Sequence, residues 1–295
     1  MEKSVLSRFQ GGLLGSMMAE TLIKNNPLQT GNKLQEIRFH FLNRFRVANL
    51  DEREWMNFYS DEMFPCQNTL SSSEMALVTL PLALLFYDNP ILFKEILEKI
   101  GAIWLEPKEV IEDVLIWGKA IAYLLQGKPA TNNFIARILE LEEKLSTPLI
   151  EDLKVIQKLL PSQTGLEQVK SILSRSNNGS RAIAYTLYYF SYTPEDFPLT
   201  VKRAVSQTTS SVQITAALTG AMAGVYNSYS GIPVSWRLAL KQNLDAEEIF
   251  QYAKRLFAWW CGVYLPEKTD LDLTVPCYST RVIQIRPQLK IISQK

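Results

Sequence analysis

Few side chains in this sequence could do chemistry. His40 is the only histidine, and neither a cysteine nor a second histidine stands near it. That removes a zinc centre and a Cys–His nucleophile. No serine sits in a nucleophile elbow, so a Ser-His-Asp arrangement cannot be placed. Gly11, Gly12 and Gly15 lie close together, but no strand precedes them and no Gly-Lys-Ser/Thr follows. A phosphate-cradling loop is thereby discounted, and close packing of a helix takes its place. The acid pairs Asp61–Glu62, Glu195–Asp196 and Asp270 with Asp272 read as turn and cap residues. Three short polar stretches remain: Ser71-Ser72-Ser73-Glu74, Asn177-Asn178-Gly179-Ser180, and Ser211 with Gln213. Serines before a Glu and an apolar run are a helix N-cap signal. Asn178-Gly179 is a good turn and Ser180 a good cap.

The elements that must position these residues are helices. Ala204 to Trp236 contains a helix of small residues, with Ala216, Gly220, Ala223 and Gly224 on one side. Two glycines inside a helix cost roughly 1 kcal/mol each against alanine. What they allow is close approach of another helix, so this one belongs at the centre. Ile232-Pro233-x-x-Trp236 restarts a short helix, with Pro233 suited to its first turn. Further helices are expected at 5–24, 107–127, 131–145, 149–160, 166–175, 182–190, 197–205 and 244–262. In 107–127 the apolar stripe is Val110, Val114, Trp117, Ile121 and Leu124, with Gly127 at the exit. The tyrosines after Ser180 read as core filler. The helix at 32–46 interleaves Arg38, His40, Arg44 and Arg46 with aromatics, and reads as an ordinary amphipathic helix with its charges in water. The alternative is a clamp on a nucleotide strand. After Leu265 the character changes to alternating, β-like stretches, which Pro276 and Pro287 limit to an edge or an extended arm.

The balance of 31 basic and 30 acidic residues gives a formal charge of +1. No strong attraction to nucleic acid or anionic membranes follows from that. Cys66, Cys261 and Cys277 are sparse and odd in number, as expected of reduced thiols in a cytosol. The N-terminus lacks the pattern of a signal peptide, being interrupted by Glu20. The longest apolar run, Ala76 to Tyr87, is far short of the ~20 residues that cross a bilayer. A cytoplasmic protein without a transmembrane segment is expected, with a helical domain at 1–265 and an extension at 266–295.

The central stretch resembles the ADP-ribosylglycohydrolase family, which includes dinitrogenase-reductase-activating glycohydrolase. There a Gly-Gly-Asp-x-Asp-Thr loop leads into a small-residue helix, then a Tyr-Gly, then Ile-Pro-x-x-Trp. Aligned on Thr219-Gly220-Ala221, the two aspartate positions fall on Ser211 and Gln213, and the threonine on Ile214. Arg8-x-x-Gly11-x-Leu13-x-Gly15 resembles the family's opening, whose Gly-Asp-Ala continuation reads Ala19-Glu20-Thr21 here. The family's Thr-Asp-Asp-Thr-x-Met-Ala, aligned on Met75-Ala76-Leu77, places its two aspartates on Ser71 and Ser72. A rival alignment uses Tyr59-Ser60-Asp61-Glu62-Met63, with Pro65 where the family begins a helix. Asn178-Gly179-Ser180 resembles the loop that contacts ADP-ribose.

The resemblance implies an all-α, compact orthogonal bundle with an extended C-terminal tail. In active relatives it implies two Mg²⁺ ions between the acidic loops, and Mg²⁺ needs anionic oxygen ligands. Serine hydroxyls and a glutamine amide carry no charge, so no metal is expected here. The resulting expectation is a catalytically degenerate binding or scaffold protein, without catalytic residues. It would have a protein partner, room for a nucleotide or ADP-ribose in the former cleft, and no nucleic acid. Glu20 is a possible retained acid. Two alternatives stay open: a hydrolase cleaving N- or O-glycosidic ADP-ribose bonds through Glu20, Asp61 and Glu62, and an assembly factor docking through its tail.

Overall fold

The computed structural model describes residues 4–23, 70–127, 133–141, 147–160, 166–173, 179–206, 211–241 and 244–262. Every regular element among them is an α-helix. In order these are α1 (Val5–Thr21), α2 (Ser72–Val78), α3 (Leu80–Leu85), α4 (Pro90–Trp104), α5 (Lys108–Leu125), α6 (Phe134–Leu141) and α7 (Pro148–Leu159). Then follow α8 (Leu166–Leu173), α9 (Arg181–Tyr192), α10 (Phe197–Val205), α11 (Val212–Gly231), α12 (Val234–Lys241) and α13 (Leu244–Trp260). The expected helix at 32–46, the β-like stretches of the extension, and Cys66 and Cys277 lie outside the described residues.

The centre is a pair, α1 and α11. Phe9 to Ala19 are buried without a break, and so are Thr215 to Val225. Small residues explain how two helices can lie so close. A Cβ on Gly15 would fall on the carbonyl oxygen of Gly220, and one on Gly220 would fall on that of Gly15. Gly11 and Gly224 oppose one another in the same way. The backbones therefore touch at two levels, which no side chain would permit. The pairing also fixes direction. Gly11 meets Gly224 and Gly15 meets Gly220, so α1 and α11 run antiparallel.

The other helices enclose this pair. The α9 helix runs parallel to α11: Thr186 Oγ1 donates to the Thr215 carbonyl at 3.3 Å, and farther along Phe190 packs edge-on against Tyr226. Tyr185, Tyr188 and Tyr189 are buried, as core filler should be. Helix α13 lays Ile249, Ala253, Leu256 and Trp260 inward, and Trp260 joins Phe9 and Tyr87 in an aromatic cluster. Trp259 stays half-buried. In α5 the expected stripe is buried at Val114, Trp117, Ile121 and Leu124, and half-buried at Val110. Gly127 leaves that helix with φ +75°. Arg8 ties the start of α1 to its end, donating to the Leu124 carbonyl at 2.6 Å.

Two local expectations need correcting. Helix α12 begins at Val234, so Pro233 stands just before its first turn. Ser180 occupies the N-cap of α9, yet its side chain caps nothing. Its backbone is already helical, at φ −91° and ψ −4°, not the extended conformation from which an N-cap hydroxyl reaches the first turn.

Candidate functional site

The segments singled out in the sequence collect at one end of the bundle. Helix α11 is antiparallel to α1 and parallel to α9, so the start of α11, the start of α9 and the end of α1 share that end. Ser211 and Gln213, Ser180 and Glu20 are therefore gathered there, all within the first or last turns of their helices. Ser71 joins them: its Cβ lies where a Cβ on Gly179 would be 3.0 Å away. Asn178, Asp61, Glu62 and His40 lie outside the described residues.

Each of the three serines at the head of α2 has an internal partner. Ser71 is the N-cap, and its backbone N–H donates to Glu74 Oε2 at 2.8 Å while its hydroxyl accepts from the Glu74 N–H at 3.3 Å. This capping box is the one the Ser-x-x-Glu spacing predicts. The Ser71 hydroxyl also donates to Glu74 Oε2 at 2.7 Å. Ser73 donates both its N–H, at 3.1 Å, and its hydroxyl, at 2.7 Å, to the Gly179 carbonyl. Ser72 turns into the core and donates to Asp113 Oδ2 at 2.8 Å.

Asp113 is the residue that sequence reasoning passed over. It lies three residues after Val110 and four before Trp117, on the apolar stripe of α5, and is only 4% exposed. A charged residue on the buried face of a helix is the signal that could have found it. Burial pushes its carboxyl up to about 6, against the opposing pull of the hydroxyls of Thr147, Ser72 and Ser180, with Glu112 adding a smaller push upward. Ser72 is the first residue of α2, Thr147 the N-cap of α7 and Ser180 the N-cap of α9. One carboxyl therefore meets three helix N-termini, whose partial positive charge favours an anion. Asp113 Oδ1 and Ser180 Oγ are both buried outside ordinary hydrogen-bond geometry.

A second acid supports the same loop. Glu106 follows α4 and accepts from the Leu70 N–H at 2.7 Å, holding the residue just before the Ser71 cap. Burial raises its proton affinity, the Leu70 N–H lowers it, and nearby Glu74 raises it.

This architecture can be compared with known proteins. The ADP-ribosylglycohydrolase family profile matches residues 17–264. The chain belongs to the ADP-ribosylglycohydrolase family. The match takes in the head of α2, the Gly179–Ser180 turn and all of α11, and begins after the Arg8–Gly15 stretch. A solved structure described as an ADP-ribosylglycohydrolase-related protein complex has the same fold, with a TM-score of 0.58 at 15% identity. The similarity covers 87% of this chain and 99% of that one. No curated protein sequence matches the chain.

Family membership raises the question of magnesium. Among the described residues no group of three or more His, Cys, Asp or Glu side chains is placed to hold a metal ion. The Ser71 and Ser72 hydroxyls already serve Glu74 and Asp113. The three helix N-termini meeting at Asp113 oppose a cation there. The described residues do not fit a magnesium pair. No helix among them is long and apolar enough to cross a membrane.

Proposed function

We propose that this member of the ADP-ribosylglycohydrolase family is catalytically degenerate and works as a binding or scaffold module. One observation carries the reading. The hydroxyls of Ser71 and Ser72, at the positions where the family resemblance puts metal-binding aspartates, are committed to Glu74 and Asp113. A hard divalent cation needs anionic oxygens turned toward it, and these neutral groups are turned toward their own neighbours. Ser211 and Gln213 stand at the same end of the bundle and are likewise neutral. The ligand we propose for that end is ADP-ribose or a related nucleotide, met at the exposed Gly179 turn, because Ser180 is fully buried beside Asp113 and is not free to touch it. Several helix N-termini give its phosphates a favourable field. A protein partner completes the role of a scaffold.

The test combines titration calorimetry with a hydrolysis assay. With Mg²⁺ we expect no two-site binding in the micromolar range, and with ADP-ribosylated arginine no release of ADP-ribose that a chelator abolishes. Micromolar two-site Mg²⁺ binding together with chelator-sensitive release would restore the hydrolase reading. In that event Glu20, Asp61 and Glu62 become the first residues to replace.

A further inference from the structure

We propose that Asp113 is the positioning residue of the candidate site: its buried carboxyl joins the first residue of α2, the N-cap of α7 and the N-cap of α9, and so sets the spacing of the Ser71 and Gly179 turns.

The geometry is that of a hub. Ser72 donates to it at 2.8 Å, and Thr147 and Ser180 present their hydroxyls from two further helices. These three residues are far apart in sequence and themselves nearly or wholly buried: Ser72 is 4% exposed, Thr147 2% and Ser180 0%. The turns they belong to meet directly, through the two hydrogen bonds from Ser73 to the Gly179 carbonyl. Thr147 has a second task, accepting the Ile150 N–H at 3.4 Å, so the hub is continuous with the cap of α7. Ser180 has no such second task, because its side chain caps nothing on α9. It lies fully buried beside the carboxyl, outside ordinary hydrogen-bond geometry, so its part in the hub is proximity to Asp113. The charged neighbours are Glu112, on the same helix, and, around the α2 turn, Glu74 and Glu106. All three are acids, and none of them neutralises Asp113. A bound cation is a poorer account of the same cluster, since helix N-termini repel it.

Only the ligand arm of the test rests on the function proposed above. Native-state hydrogen exchange should be followed in the full chain, in Asp113→Ala and in Asp113→Asn. In Asp113→Ala the amides of Ser73 and Ile183 should exchange at least about tenfold faster, while amides in the middle of α1 and α11 keep their rates. Asp113→Asn keeps an acceptor for Ser72 and should restore slow exchange. ADP-ribose titrated into the same three proteins should bind about tenfold more weakly to Asp113→Ala and normally to Asp113→Asn. Equal acceleration throughout the chain, or failure of Asp113→Ala to fold, would make Asp113 a general core residue and overturn the assignment. So would unchanged exchange at Ser73 and Ile183. If the wild-type chain binds no ADP-ribose, the ligand reading fails, and the exchange data alone decide the hub.

Discussion

Asp113 and Ser228 are the two residues whose local physics is most out of the ordinary. A carboxyl raised from 3.8 to about 6 is more easily protonated in the folded chain than in the unfolded one. Between those values the folded state binds the extra proton, so stability falls as pH rises through the window and levels off above it. Such a shift is worth about 3 kcal/mol at about 1.4 kcal/mol per pH unit. Asp113→Asn cannot ionise. Subtracting its urea-denaturation stability from the wild type's at each pH between 4 and 7 should reveal a falling curve of about that size. A flat difference would show that the carboxyl is not held in a poorly solvated place. Ser228 adopts φ 64° and ψ 175° inside α11, a region that only glycine enters without strain. It is buried, its hydroxyl bonded to that of Ser230 at 2.8 Å. Ser228→Gly should relieve 1–3 kcal/mol of strain and forfeit up to about 1 in chain entropy. A gain of about 1 kcal/mol in the urea midpoint analysis is expected, and a loss would contradict the strain.

At the scale of elements, the crossing of α1 and α11 decides the fold. Its two contact levels are backbone on backbone, so an added methyl cannot be met by a rotamer change. Gly220→Ala would place its Cβ on the Gly15 carbonyl and against Ala19. Separating the helices opens the core along their whole length, and a loss of more than about 3 kcal/mol is expected. Gly101 provides the contrast. A Cβ there meets only the end of the Ile111 side chain, which can turn aside. Gly101→Ala should cost about 1 kcal/mol or less, helped by alanine's better helix propensity. Equal thermal shifts for the two variants would remove the special status of the crossing. The ion pairs along the helix surfaces, such as Lys94–Glu98 and Arg137–Glu140, are exposed on both sides and add little to either figure.

At the scale of the whole molecule, the described core is built around α1. Helix α1 comes first in the chain yet is buried from Phe9 to Ala19. It lies against α11 and α13, which come near the end of the described chain. Among the described residues no other helix lies between α11 and α13 in its place. A chain lacking residues 1–21 should show no cooperative thermal transition by circular dichroism, whereas the full chain should show one. A truncated chain that melts cooperatively would mean that the remaining helices form an independent core. The packing of α1 onto α13 brings together residues as far apart in the chain as Phe9 and Trp260, contacts of the kind that slow folding.

Much of this was legible in the residues alone. The helical periods predicted α5, α7, α9, α10 and α13 to within a few residues, because an amphipathic stripe is a local property. The glycines of α1 and α11 announced close packing, since little else repays their cost inside a helix. The Ser71–Glu74 cap was visible because both partners lie within one turn. What the chain order could not disclose was which glycine meets which, and hence the direction of α1 against α11. Nor could it disclose that a carboxyl on α5 would accept from a hydroxyl of α2 and lie beside hydroxyls of α7 and α9. Those partners are separated from Asp113 by 34 to 67 residues, and a hydrogen bond depends on distance in space alone. Spacing in sequence settled the helices. Their assembly settled that Ser71 and Ser72 of the α2 turn serve acids of the same chain, and Ser73 the Gly179 carbonyl.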